Sequence, residues 1–312
     1  MSLGVLNNIN AVYAENNLNN TSNSLSKVLN QLSSGSKINS GADDAAGLSL
    51  VNGLSANSAA LTQSTTNATE GVGLLQVADG ALSQVTSLLN RAVTLATEAS
   101  NGTLNTSQTD AANQEYQSIL SEISNIGSTT TYNGNAVFTG KNVDIYTGDS
   151  TGTGASIDSL YFATLSNSTV GDAGGKVSLT AAVAGTSPAT ITYTPTASAT
   201  NQIDLSKTSL TGATTAAAQT AAQATLTSLN SAITDVAAQD GYVGAQINTL
   251  NSVSSVLTTQ QENVVSAQNA VQATDYASAT SNMSKYEILS QTGISALAQA
   301  NSVQQEVSKL LQ

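Results

Sequence analysis

Residues 57–99 read NSAALTQSTTNATEGVGLLQVADGALSQVTSLLNRAVTLATEA. Leu61, Ala68, Leu75, Leu82, Leu89 and Ala96 fall at successive intervals of seven, and Val72 and Val93 sit four after Ala68 and Leu89. A repeat of seven brings these side chains to one side of an α-helix, so the spacing predicts a long helix with a coiled-coil seam, closed by Asn101-Gly102. Such a stripe cannot stay in water and needs a partner of similar length. The return half of the chain supplies one. Leu229, Val236, Val243, Leu250, Leu257, Val264 and Val271 form an unbroken heptad over about 43 residues, roughly 64 Å if continuous, with Gly241 and Gly244 inside it.

Working outward, Leu18, Leu25 and Leu32 repeat at seven with Leu29 four after Leu25, which predicts a helix over residues 3–34 stopped by Gly35. A final amphipathic segment carries Met283, Tyr286, Ile294, Leu297, Val303, Val307 and Leu310. The stripes of the first and last arms are expected to bury each other, which brings the termini together. A third helix is read over Asp110–Ile126 through Tyr116, Ile119, Leu120, Ile123 and Ile126, ended by Gly127. From Thr129 to Gly212 the pattern turns to Thr, Gly, Ser and β-branched residues. There Val143–Tyr146 before Thr147-Gly148-Asp149 predicts a hairpin, and Ala189–Thr194, between Pro188 and Pro195, another strand. The expected fold is mainly α with a small β region: a long coiled-coil-like helical hairpin rod, N- and C-terminal helices paired, and β-hairpins in the middle.

Composition narrows the chemistry. The chain carries 8 basic and 20 acidic side chains, a net charge of −12, and no His, Cys or Trp among 312 residues. Without imidazole or thiol there is no Ser-His or Cys-His pair, no thiolate nucleophile and no zinc site of the usual kind. The basic residues are scattered, so no patch for nucleic acid is legible. No basic n-region opens the chain, and no run approaches the roughly 18 consecutive apolar residues of a membrane span, so neither a conventional secretory signal nor membrane insertion is expected. No cofactor is expected either.

Several local patterns bear on chemistry. Asp43 and Asp44 are adjacent carboxylates, but neighbours on a helix or strand diverge, so a turn and helix N-cap role is expected. Asp144, Asp149 and Asp158 beside Gly148, Gly152 and Gly154 do not match an EF-hand loop and read as a solvated hairpin turn. Gly71 and Gly73 lack the preceding strand of a nucleotide loop and read as helix-surface glycines. Triplets such as Asn67-Ala68-Thr69 and Asn167-Ser168-Thr169 are expected by chance in so Asn- and Thr-rich a chain.

At both ends the sequence resembles bacterial flagellin. The motifs are Leu18-Asn19-Asn20-Thr21, the stretch Leu32-Ser33-Ser34-Gly35 through Gly41-Ala42-Asp43-Asp44-Ala45-Ala46-Gly47-Leu48, Asp79-Gly80-Ala81-Leu82, Ser100-Asn101-Gly102-Thr103 and Tyr132-Asn133-Gly134. They continue in Thr274-Asp275-Tyr276-Ala277, Asn282-Met283-Ser284-Lys285, Ile288-Leu289 and Ala298-Gln299-Ala300-Asn301. The resemblance implies an inner terminal-helix domain (1–40 with 275–312), a helical rod domain with a β-hairpin (41–170 with 205–274), and a reduced, variable outer β extension (171–204).

The resemblance further implies a non-enzymatic, secreted, extracellular subunit of the bacterial flagellum that self-polymerises into a helical filament for swimming. Its partners would be copies of itself, the export apparatus and chaperone, the filament cap and the hook-filament junction proteins. A junction protein or a glycan-binding surface homologue are the alternatives. The assembly core would be Leu18, Leu25, Leu29, Leu32, Ile294, Leu297, Val307 and Leu310. In flagellins a Gln-Arg-x-x-Glu-Leu surface packs against neighbouring subunits and, in some members, binds an innate immune receptor. Here the segment is Asn90-Arg91-Ala92-Val93-Thr94-Leu95, with Glu115 matching an acid on the third helix. Arg91, Leu95 and Glu115 are thus the candidate partner-binding residues, and Thr94 in place of Glu departs from the pattern.

Overall fold

The computed structural model describes residues 8–148, 157–166, 170, 176–180, 190–194 and 203–310. Helix α1 (Ile9–Ser34) begins at Asn8, whose Oδ1 accepts from the Ala11 amide at 3.1 Å. It stops at Gly35, which takes φ +71° and returns its amide to the Gln31 carbonyl; residues 3–7 of the expected helix lie outside the described residues.

Helix α2 (Ala45–Ser100) starts well before the expected residue 57. Asp44 Oδ1 accepts from the Gly47 amide at 2.9 Å, while Asp43 Oδ2 takes both the amide and the hydroxyl of Ser40 at 3.1 Å. The two carboxylates therefore do the work of a turn and a cap, as their divergence requires. Gly47 and Gly53 hide this start, because helix-poor residues interrupt the apolar period.

Helix α3 (Thr106–Thr129) opens on a capping box in which Asn105 and Gln108 satisfy each other's backbone amides. Gly127 does not end it. A Cβ at that position would stand 1.9 Å from the Leu165 carbonyl oxygen, so the glycine is a contact surface inside the helix. Strands β1 (Thr131–Tyr132) and β2 (Asn135–Ala136) pair around Asn133-Gly134, with φ +48° and +78°, the two left-handed positions of a type I′ turn.

Strand β3 (Asn142–Tyr146) pairs antiparallel with β4 (Ile157–Tyr161), and β5 (Lys176–Thr180) with β6 (Thr190–Thr194). The expected strand at 189–194 is β6, with Ala189 outside the described residues. A 3-10 turn at Leu205–Lys207 leads to α4 (Thr215–Gln272), which runs through Gly241 and Gly244 without a break, and α5 (Tyr276–Leu310) completes the chain.

The chain forms two compact units, Met1–Ser58 with Glu262–Gln312, and Ala59–Gln261. In the first, α1 and α5 lie antiparallel: Asn8 Nδ2 donates to the Ala300 carbonyl at 2.9 Å, and Thr274 Oγ1 to that of Gln31 at 3.3 Å. The linkers after α1 and α4 are joined by an antiparallel bridge between Ser36 and Ala273. Val28, Ile38, Val51 and Ala279 are buried here.

In the second unit, α2 and α4 run antiparallel. Gln261 Nε2 donates to Thr62 Oγ1, Leu250 lies against Gly71, and Gln219 against Gly102. The heptad residues Leu61, Ala68, Leu75, Leu82, Leu89 and Ala96 are buried, as are Leu229, Val236, Val243, Leu250 and Leu257. Tyr116, Ile119, Leu120 and Ile123 of α3 and Leu160 of β4 complete the core. Gly71 and Gly73 are not surface glycines: a Cβ on Gly71 would come within 3.2 Å of Leu250 and Ile145, and one on Gly73 within 3.1 Å of the Tyr132 hydroxyl. An 18-residue window of α2 reaches a mean hydropathy of 1.2, long and apolar enough to cross a membrane by length and composition. Counting consecutive apolar residues misses that property; the heptad face of the helix lies inside this unit.

Candidate assembly and partner-binding surfaces

The strand register decides the first question of chemistry. Asp144 lies opposite Ser159, whose hydroxyl donates to it, whereas Asp158 lies opposite Ile145. Side chains alternate faces along a strand, so Asp144 and Asp158 point to opposite sides and cannot converge on one cation. Asp149 lies outside the described residues. Asp158 departs from the solvated reading, because it shares the inward face with Val143, Ile145 and Leu160. Thr147 donates to its Oδ2 at 3.2 Å, and burial pushes its carboxyl above the ordinary value. Among the described residues no group of three or more His, Cys, Asp or Glu side chains could hold a metal ion.

Arg91 on α2 reaches Glu115 on α3: both Nε and Nη2 donate to Oε1 at 2.7 Å. The pair ties two helices and keeps 53% and 46% of its side-chain surface in solvent. Glu115, and behind it Glu98, raise the already high pKa of the guanidinium. Glu98 lies two turns beyond Arg91, a partner that the sequence motif does not mark. Thr94 turns its hydroxyl back to the Asn90 carbonyl at 3.0 Å. Leu95 is 3% exposed and belongs to the core; of the three candidates, only Arg91 and Glu115 present side-chain surface.

The terminal helices bury each other's stripes only in part. Leu18, Leu25, Leu32 and Leu297 are half-buried, and Leu18 packs against Gly293. Leu29 stays 45% exposed and Ile294 57%. Ile9, Val12 and Tyr13 on α1, and Ile288, Leu289 and Val303 on α5, are exposed as well. One neighbouring helix covers one seam, and these stripes are wider than a seam. The spacing of Ile9, Val12 and Tyr13 at three and four carried the signal for this extra width. Val307 and Leu310 fall within α5, with side chains outside the described residues. An open groove between the helices is lined by Ala14, Leu18, Thr21, Tyr286, Leu289 and Gly293, among others.

At the linker, Lys27 Nζ meets Asp43 Oδ1 at 2.8 Å. That ammonium, followed by the Ser40 hydroxyl, holds the Asp43 carboxyl down at about 2.

The amino-acid sequence of this chain has counterparts among known proteins. Residues 5–143 match the bacterial flagellin N-terminal helical region, and residues 226–311 the bacterial flagellin C-terminal helical region. A flagellin of Serratia marcescens is 32% identical, with 96% of this chain and 97% of that one covered. The chain belongs to the bacterial flagellin family. Another relative, polar flagellin C of Vibrio parahaemolyticus, is 38% identical over 140 residues, covering 45% of this chain and 36% of that flagellin. The chain thus spans little more than a third of the length of the Vibrio flagellins it matches. A solved flagellin structure from Bacillus cereus is similar at 24% identity, over 65% of this chain and 94% of that one, with a TM-score of 0.43.

Proposed function

We propose that this flagellin-family chain is a structural subunit of the bacterial flagellar filament, secreted and assembled outside the cell into a helical polymer for swimming. The observation that carries the reading is the apolar surface left open on α1 and α5. Leu29, Ile288, Leu289 and Ile294 remain exposed on a pair of helices that has already used its mutual seam, and apolar stripes of this kind call for further helices to cover them. Leu18, Leu25, Leu29, Leu32, Ile294, Leu297, Val307 and Leu310 are the assembly core in this reading. Residues 1–40 with 275–312 form the inner domain, 41–170 with 205–274 the rod, and 171–204 the outer extension. Export apparatus and chaperone, filament cap and junction proteins are the partners that family membership supports.

Arg91 and Glu115 make an outward pair suited to a neighbouring subunit or to an innate immune receptor, since a guanidinium holding one carboxylate keeps donors to spare. No enzymatic role enters the reading: the family is structural, and the sequence lacks His and Cys. Electron microscopy of the purified chain, concentrated without other components, tests the reading. Filaments of uniform width are expected. Soluble subunits that bind carbohydrate saturably and never polymerise would overturn it.

A further inference from the structure

Three Asn-Gly pairs stand in this chain: Asn52-Gly53, Asn101-Gly102 and Asn133-Gly134. Each holds a latent reaction, because glycine has no side chain to shield its nitrogen. That nitrogen, giving up its proton, attacks the asparagine Cγ; the bond from Cγ to the side-chain nitrogen breaks and ammonia leaves. Water then opens the resulting succinimide at either carbonyl, leaving aspartate or isoaspartate. Nothing is oxidised or reduced, and water is the only co-reactant. A folded chain permits the ring closure where the glycine nitrogen is free of hydrogen bonding and the asparagine side chain has room to swing over it. Asn52-Gly53 has the room, since a Cβ on Gly53 would meet nothing within 4 Å, but it lies inside α2, where the Gly53 amide belongs to the helix ladder. Asn101-Gly102, just past the end of α2, is crowded. The Asn101 amide is tied to the Glu98 carbonyl at 3.2 Å, and a Cβ on Gly102 would meet Gln219 Nε2 at 3.2 Å.

Asn133-Gly134 meets both conditions. The two residues are the exposed turn between β1 and β2, and neither the Asn133 carboxamide nor the Gly134 amide has a hydrogen-bond partner among the described residues. A Cβ on Gly134 would meet nothing within 4 Å. Asn133 is held at φ +48°, a region that costs a residue with a side chain, and the turn is closed by only the pairs Thr131–Ala136 and Tyr132–Asn135. So short a hairpin opens readily. We propose that Asn133 is a site of spontaneous deamidation, a slow chemical clock in the β1–β2 turn, while the fold holds Asn52 and Asn101 back. Isoaspartate carries the backbone through the side-chain methylene, which lengthens a two-residue turn whose register depends on both of its left-handed positions. Tyr132, whose hydroxyl packs against Gly73 of α2, is the first neighbour this displaces.

Ageing the full chain at mildly alkaline pH in heavy-oxygen water, with mass spectrometry of its peptides, tests the site. The chain is kept dilute and monomeric, so the result does not depend on the assembly reading. Label is expected first at Asn133, with Asn52 slower by about tenfold or more and Asn101 between them. The same incubation in urea should bring the three sites to similar rates, because the order belongs to the fold and not to the dipeptide. Asn133→Gly keeps a residue suited to positive φ and removes the carboxamide; it should lose that one product and keep the other two. Equal labelling of the three sites in the folded chain, or an Asn133 that reacts in urea and stays intact in the folded chain, overturns the proposal.

Discussion

The two units apply one heptad grammar to opposite ends. In the second, Leu61, Leu75, Leu82 and Leu89 of α2 are at most 1% exposed, because α3, α4 and the β3–β4 hairpin close around them. In the first, α1 and α5 have chiefly each other, and Leu29 and Ile294 stay about half in water. A periodic stripe specifies a helix; the number of neighbours decides whether the stripe becomes core or surface. The first unit therefore keeps apolar surface open, and the second buries its own and so carries the chain's stability.

The sharpest way to break this contrast is a cavity. Leu82→Ala should cost about 2–5 kcal/mol, read by denaturant unfolding of the monomer, while Leu29→Ala should cost less than about 0.5 kcal/mol. Similar losses at the two sites would erase the distinction. Next in size, Leu25→Asp should abolish polymerisation, measured by sedimentation, while the melting of the second unit stays unchanged, since the charge falls on the α1–α5 seam alone. Wild-type filament yield from this variant would show that the seam is not used in assembly.

A smaller effect is expected at the α2–α3 pair. Arg91→Ala should raise the critical concentration for polymerisation several-fold with little change in monomer melting, because an exposed ion pair adds little to its own fold. A lowered monomer melting temperature with unchanged polymerisation would assign the arginine to its own subunit. The smallest effect lies at Asp43. Its lowered carboxyl stabilises the linker above the ordinary value of 3.8, and that contribution is lost as pH falls towards about 2. Asp43→Asn should remove this acid dependence, seen as an amide protection factor at Ser40, taken relative to the intrinsic exchange rate at each pH, that no longer falls between pH 4 and 2.

The long helices were legible because heptads are local and repeat many times. The features that escaped depend on distant partners. Gly127 reads as a stop, yet it is constrained by the backbone of Leu165. Asp158 reads as a turn residue until the register places it opposite Ile145 on the inward face. Leu95 looked like part of a partner motif because it stands beside Arg91, but the helix carries it round into the core. The Arg91–Glu115 bond joins separate helices, and no spacing rule within one helix announces it.

The antiparallel register of α2 and α4 also limits how such a chain can change its length. Thr62 meets Gln261, Gly71 meets Leu250 and Gly102 meets Gln219, so partner numbers fall on one helix as they rise on the other. One residue inserted in α2 would turn everything beyond it by about 100° and carry the leucines away from α4. Seven residues added to both helices at matching levels would restore every contact, lengthening the pair by about 10 Å. Insertions and deletions along this seam should therefore survive in coupled heptad steps, like teeth added to both halves of a zip.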